Sequence, residues 1–304
     1  MRPSGGTEIL YDNLKKFTEF NTYDDINLIR SVCKESLIDT FKINVLWQHL
    51  ATFDSNTYEM NNPHYLNNID GFVYVSEWQL EQFKLKYKVD WCNNTVIRNA
   101  IEPIEFKEKP KGKIRLIYTS TPQRGLDVLL DSFERISYNR DDIELYVYSS
   151  NIIYGSSYSE TIGDRYNYLF DRCRKMKNVF YRGYTPNRLL REALKDAHIF
   201  AYPSTFEETS CLAAIEAGSA GCKIVTTNYG ALSETCDIYA NYVEYDGYNR
   251  EELVENFTIS LEKEIDNYNI TSYNIPNQRD WFNNRYSWQN RAIEWNDFFE
   301  RIIK

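Results

Sequence analysis

Histidine is scarce in this chain: its 304 residues hold only His49, His64 and His198. The six cysteines (Cys33, Cys92, Cys173, Cys211, Cys222 and Cys236) are scattered and form no Cys-x-x-Cys pair. A structural zinc site takes four Cys or His ligands at short spacings, a pattern not found here. The cysteines read instead as small buried hydrophobes. Long apolar runs are missing too. No stretch approaches the roughly 20 residues that cross a bilayer, and the opening Met-Arg-Pro-Ser-Gly-Gly has no apolar signal-peptide core. The expected setting is cytoplasmic. Nor is there an excess of positive charge: 35 Lys and Arg stand against 44 Asp and Glu, a net charge of −9. A phosphate backbone demands a basic face, so nucleic acid is not an expected partner.

What is present is alternation. The length and the 42% hydrophobic content suffice for two domains, each with its own core. Glu8–Phe20 carries apolar residues at helical spacing. Short apolar runs follow at Ile26–Val32, Ile43–Gln48, Gly71–Ser76 and Thr95–Arg98, with a helical pattern at Trp78–Tyr87 among them. Ile104–Lys113, charged and punctuated by Pro110 and Gly112, reads as a linker whose lysines form a solvated hinge. Alternation then restarts with strand Ile114–Thr119, helix Pro122–Ile136, strand Ile143–Ser149, a helix within Glu160–Met176, strand Val179–Tyr181 and helix Asn187–Asp196. From Val243 to about Arg279 the chain is polar and poorly patterned. The last helix, Ser287–Ile303, puts Trp288, Arg291, Ala292, Trp295, Phe298 and Phe299 on one face, with Ser287 as its cap. This order predicts an α/β protein with parallel sheets, divided into domains 1–104 and 105–286, with the closing helix packed on either one.

The densest chemistry lies between Tyr202 and Glu234. A strand His198–Tyr202 ends at Pro203, which cannot extend a ladder, and Thr209 or Ser210 can cap a following helix. Glu208 then stands at the mouth of that helix, and Glu216 lies roughly 12 Å further along its axis. The N–H groups of Ser210, Cys211 and Leu212 would form an anion site between the two acids. One acid on each side of a phosphate site suits a sugar joined through a diphosphate to a nucleoside.

Pro203, Ser204, Glu208, Glu216, Ala217 and Gly221 resemble the donor site of retaining glycosyltransferases of the GT-B fold, the large family 4 in particular. Thr119–Leu130 resembles the family loop Gly-Arg-Leu-x-x-x-Lys-Gly, in which an Arg and a Lys clamp the donor diphosphate. Arg124 falls at the Lys position and keeps the charge. Thr119 falls at the Arg position, a departure that leaves the hydroxyls of Ser120 and Thr121, or another arginine such as Arg98 or Arg182, to compensate. By the same resemblance Gly183 and Tyr184 meet the nucleobase, Gly183 by allowing close approach, and His49 touches the donor sugar. Gly5 and Gly6 resemble the Gly-rich loop after the first strand of the acceptor domain. Because the chain opens in that loop, the expectation is a shortened acceptor domain or a native start upstream of Met1.

The resemblance implies two Rossmann-like domains and transfer of a sugar from a nucleotide donor, UDP- or GDP-linked, to an acceptor hydroxyl with retained configuration. The acceptor would be a glycan or a lipid-linked precursor, which leaves peripheral contact with a membrane open. The departing phosphate would take the acceptor's proton, so the protein's task is positioning and charge stabilisation. No cofactor beyond the donor is implied. The chain has no Asp-x-Asp, which argues against the metal-dependent GT-A type. Two alternatives stay open: an inverting GT-B enzyme with His49 as base, and a degenerate module that binds nucleotide or glycan without turnover.

Overall fold

The computed structural model describes residues 5–151 and 163–304, so Ser4 and the start of the helix expected from Glu160 lie outside the described residues. The chain forms two compact units. The smaller holds Gly6–Glu102, Glu208–Ser210 and Arg285–Lys304; the larger holds Pro103–Glu207 and Cys211–Asn284, with Gly5 grouped to it.

In the smaller unit α1 (Gly6–Phe17) leads to β1 (Ile26–Arg30), β2 (Ile43–Gln48), α2 (Pro63–Asn67), β3 (Gly71–Tyr74), α3 (Glu77–Tyr87) and β4 (Asn94–Val96). The strands pair in parallel in the order β1-β2-β3-β4. Successive side chains of a strand point to opposite faces. Leu46 accordingly joins a core with Met60, Tyr65, Leu80 and Phe83, while Trp47 meets Trp295 edge-on at 4.9 Å.

The larger unit runs through β5 (Ile114–Tyr118), α4 (Leu126–Ser137), β6 (Ile143–Val147), α5 (Asn167–Lys175), β7 (Val179–Tyr181), α6 (Asn187–Asp196), β8 (Ile199–Tyr202), α7 (Leu212–Ser219), β9 (Lys223–Thr227), α8 (Leu232–Cys236), β10 (Ala240–Val243), α9 (Arg250–Thr271) and α10 (Ile275–Tyr286). Its parallel strands follow the order β10-β9-β8-β5-β6-β7. Strand order reverses between β5 and β8, and in such doubly wound sheets ligands bind outside the carboxyl ends of the strands at that switch point.

The closing helix α11 (Trp288–Ile302) begins at Ser287, whose side chain accepts from the Asn290 N–H. It belongs to the smaller unit, where Phe298 and Ile302 press on Gly71 so closely that a Cβ there would come within 2.5 Å of Ile302.

Three expectations need correction. The stretch after Val243 is not unpatterned: it carries α9, whose buried Leu253, Val254, Phe257, Leu261, Ile265 and Tyr268 recur at three- and four-residue spacing. Asn249 caps it by accepting from the Glu252 N–H. Helix Pro122–Ile136 is broken at Gly125, whose φ of +95° ends a short 3₁₀ turn before α4 begins. The linker lysines are not uniformly solvated. Lys109 is half-buried and donates to the carbonyls of Leu194 (3.1 Å), Lys195 (3.2 Å) and Ala220 (2.9 Å), capping the ends of α6 and α7.

Candidate active site

At the switch point two loops of the larger unit touch. A Cβ on Gly125 would lie 1.9 Å from the Pro203 carbonyl oxygen, so only glycine fits this approach. Ser204 shapes the second loop: its hydroxyl donates to the Phe206 carbonyl (3.0 Å) and its own carbonyl accepts from the Thr227 hydroxyl (2.8 Å). Arg124 lies over the Phe206 ring at 4.1 Å, and Thr205 donates to the Gln123 carbonyl at 3.3 Å. The first loop holds three buried polar atoms that have no partner among the described residues, namely Thr119 Oγ1, Thr121 Oγ1 and Gln123 Oε1. Such orphans are few in native proteins and call for an explanation. Ser120 is paired, its hydroxyl 3.4 Å from the Tyr202 hydroxyl.

The helix after the second loop starts later than expected. Cys211 is its N-cap, without a side-chain capping bond, and α7 begins at Leu212. The first intrahelical bond runs from Ile215 N–H to the Cys211 carbonyl at 3.1 Å. The N-terminal turn is therefore Leu212–Ala214, and Ser210 lies outside it. Thr209 caps nothing: its hydroxyl donates to the His49 carbonyl (2.8 Å) while its carbonyl accepts from the Ser76 hydroxyl (2.7 Å). Glu208, buried and non-helical, thus sits one residue from a tether to His49, inside the smaller unit.

Glu216, on α7, is 7% exposed. Arg191 Nη1 donates to its Oε1 at 2.9 Å, and Asn187 Nδ2 approaches both oxygens at 3.1 and 3.3 Å. Sequence reasoning placed the helix that carries Asn187 and Arg191. It missed both residues, because an i, i+4 pair does not reveal a partner on another helix.

His49 follows β2 with its Nδ1 3.2 Å from Ser31 Oγ, and Ser31 itself holds a left-handed φ of +64°. Nε2 is buried with no partner among the described residues. Burial pushes the ring's pKa down to about 3, with Arg30 adding to the effect and a backbone bond at Trp47 opposing it, so the imidazole is neutral near pH 7. Gly183 has a φ of +63°, and a Cβ there would make only ordinary contact with the Tyr181 side chain at 3.9 Å, so a left-handed turn rather than close packing favours glycine there. Tyr184 beside it is half-buried. Gly6 is already the first residue of α1, and Gly5 falls with the larger unit. Among the described residues, no three His, Cys, Asp or Glu side chains are grouped to hold a metal ion.

A doubly wound parallel sheet with loops converging at its switch point defines the class, an α/β protein of the kind that takes a ligand at the carboxyl ends of its strands. The chain belongs to the glycosyl transferases group 1 family, whose pattern matches residues 99–278. No curated protein matches the sequence. Among solved structures it is similar to TarM of S. aureus (TM-score 0.63, 19% identity), covering 85% of this chain but only 51% of that one. A glycosyltransferase from Rickettsia africae gives TM-score 0.66 at 15% identity over 99% of this chain and 83% of the other. Anabaena Alr3699/HepE, solved with UDP and glucose, gives 0.67 at 13% identity over 98% and 83%. These likenesses establish the GT-B fold. The chain spans about half the length of TarM.

Proposed function

We propose that the protein transfers a sugar from a nucleotide-sugar donor to an acceptor hydroxyl, with retained configuration and without a metal ion. The observation that carries this reading is the switch point of the larger sheet. There the orphaned hydroxyls of Thr119 and Thr121 share a loop with Arg124, and the adjoining loop leads into α7 with its buried Glu216. Arg124 and the N–H groups at the start of α7 would neutralise the diphosphate, aided by Thr119 and Ser120. Glu216 would accept from ribose hydroxyls, and Gly183 and Tyr184 would flank the base. Glu208 and His49 are assigned to the donor sugar. The acceptor is a glycan or lipid-linked hydroxyl, and the departing diphosphate takes its proton.

The neutral, weakly basic His49 counts against an inverting mechanism built on it, since a general base works best with a pKa near the operating pH. The test is binding of UDP and GDP by calorimetry. Glu216→Ala should weaken binding of the preferred nucleotide by about 1–3 kcal/mol, the scale of hydrogen bonds to a charged group. Unchanged affinity in a folded variant would remove the ribose role.

A further inference from the structure

α6 supplies both donors that hold Glu216, and they lie one turn apart on its surface. Oε1 receives Arg191 at 2.9 Å and Asn187 at 3.1 Å, whereas among the described residues Oε2 receives only Asn187, at a long 3.3 Å. Two donors fill the two lone-pair directions of Oε1. A carboxylate with both oxygens open can grip two neighbouring hydroxyls at once; this one has a single oxygen with spare capacity. The Arg191 guanidinium is anchored on its far side as well, with Nη2 3.5 Å from the Pro103 carbonyl. The pair is also largely removed from water, its side chains 20% and 10% exposed, so the carboxylate cannot swing out to solvent without leaving the guanidinium behind.

We propose that Arg191 and Asn187 are positioning residues of the donor site: they occupy Oε1 of Glu216 and turn Oε2 toward the ribose, so that one of the two ribose hydroxyls carries the recognition. This rests on the ribose role of Glu216 given above. A purely structural ion pair would hold α6 to α7 equally well, but it would have no reason to set apart one hydroxyl of a bound nucleoside.

The experiment compares UDP, 2′-deoxy-UDP and 3′-deoxy-UDP by calorimetry, or the guanosine series if the wild type prefers GDP. In the wild type, loss of one hydroxyl should weaken binding about tenfold or more and loss of the other less than about threefold. In Arg191→Met, with folding checked by thermal melting, the preferred hydroxyl should lose its advantage, so that parent and deoxy nucleotides bind within about threefold. Arg191→Lys, which keeps the charge without the planar fork, should retain part of the discrimination. If Arg191→Met fails to fold, Arg191→Lys and Asn187→Ala carry the comparison. Equal sensitivity to both hydroxyls, or full discrimination retained in folded Arg191 variants, overturns the inference while leaving Glu216 as a ribose ligand. A wild type indifferent to both hydroxyls, or one that binds neither nucleotide, removes the ribose reading itself.

Discussion

Glu216 and His49 stand in different units and are held in different ways. Every oxygen of Glu216 meets a donor from the neighbouring helix, so its orientation is fixed by partners within the larger unit. His49 is fixed on one side only: Ser31 holds Nδ1, and Nε2 has no partner among the described residues although it is buried. His198, in the larger unit, makes the contrast sharper. Its Nδ1 accepts from the Arg115 N–H at 3.0 Å and its Nε2 lies 3.0 Å from the Pro110 carbonyl, so both nitrogens are used. A buried polar group without a partner costs free energy until something pairs with it, whereas a carboxylate already held by donors is fixed in orientation. By that criterion Thr119, Thr121, Gln123 and His49 are among the buried groups left without a partner among the described residues, as are the indoles of Trp47, Trp288 and Trp295.

The largest expected effect belongs to Arg124. If it stabilises the leaving diphosphate, its loss should lower kcat more than it weakens donor binding, because charge on the leaving oxygen grows in the transition state. Thr119 supplies no second cation in the same loop, so Arg124→Ala should cost about 2.7–4 kcal/mol in kcat, typical of removing one preorganised donor. Arg124→Lys should keep part of the activity. Steady-state kinetics with the donor identified by the binding screen would decide it. Turnover near the wild-type rate would separate this loop from the phosphates and leave its buried orphans unexplained.

The legible parts of the molecule were those where the sequence signal is local. The apolar run Ile43–Gln48 coincides with β2, and the helical pattern Asn187–Asp196 with α6. α9 was missed because Glu, Asn and Lys fill its exposed face and lower its mean hydropathy, although its apolar stripe and the Asn249 cap with Glu252 were present in the sequence. At the candidate site, Thr209 or Ser210 reads as the cap of the helix that carries Glu216, with Glu208 at its mouth. The backbone does not begin helix until Leu212, because Thr209 is drawn into bonds with His49 and Ser76, 160 and 133 residues away in sequence. Lys109 was misjudged for the same reason: its three carbonyl partners come from segments roughly 85 residues or more downstream. No local pattern encodes such partners.

A smaller effect should separate the histidines from the rest of the fold by pH. Burial lowers the pKa of His49 to about 3 and that of His198 to about 4, against about 6.5 in the unfolded chain. Between pH 6.5 and those values the unfolded state binds more protons, so stability is fully present above pH 6.5 and falls as the solution is acidified. Each histidine should contribute a slope of up to ~1.4 kcal/mol per pH unit. Denaturant melts between pH 6.5 and 5 should show it, with His49→Gln and His198→Gln each reducing the slope. His198→Gln should also lower stability at pH 7, since it disturbs bonds at both ring nitrogens, whereas His49→Gln should cost less because Nε2 has none to lose among the described residues. Equal losses at pH 7 would contradict the distinction between a satisfied and an orphaned ring.

The smallest expected effect is none at all, and it concerns metal. In the proposed site the diphosphate meets a guanidinium from Arg124 and the N-terminal turn of α7, both of which carry positive charge or partial charge toward an anion. A metal-dependent transferase would instead need closely spaced carboxylates to hold a divalent ion on the diphosphate, and the sequence has no Asp-x-Asp. Donor turnover measured after dialysis against EDTA should therefore equal that of untreated protein, and added Mg²⁺ or Mn²⁺ should leave the rate unchanged. The Arg124→Ala variant makes the comparison stricter: if charge neutralisation by the loop is the protein's own, added metal should not restore it. Activity that vanishes with chelator and returns with Mn²⁺ would move the burden of charge from the larger unit's loops to an ion.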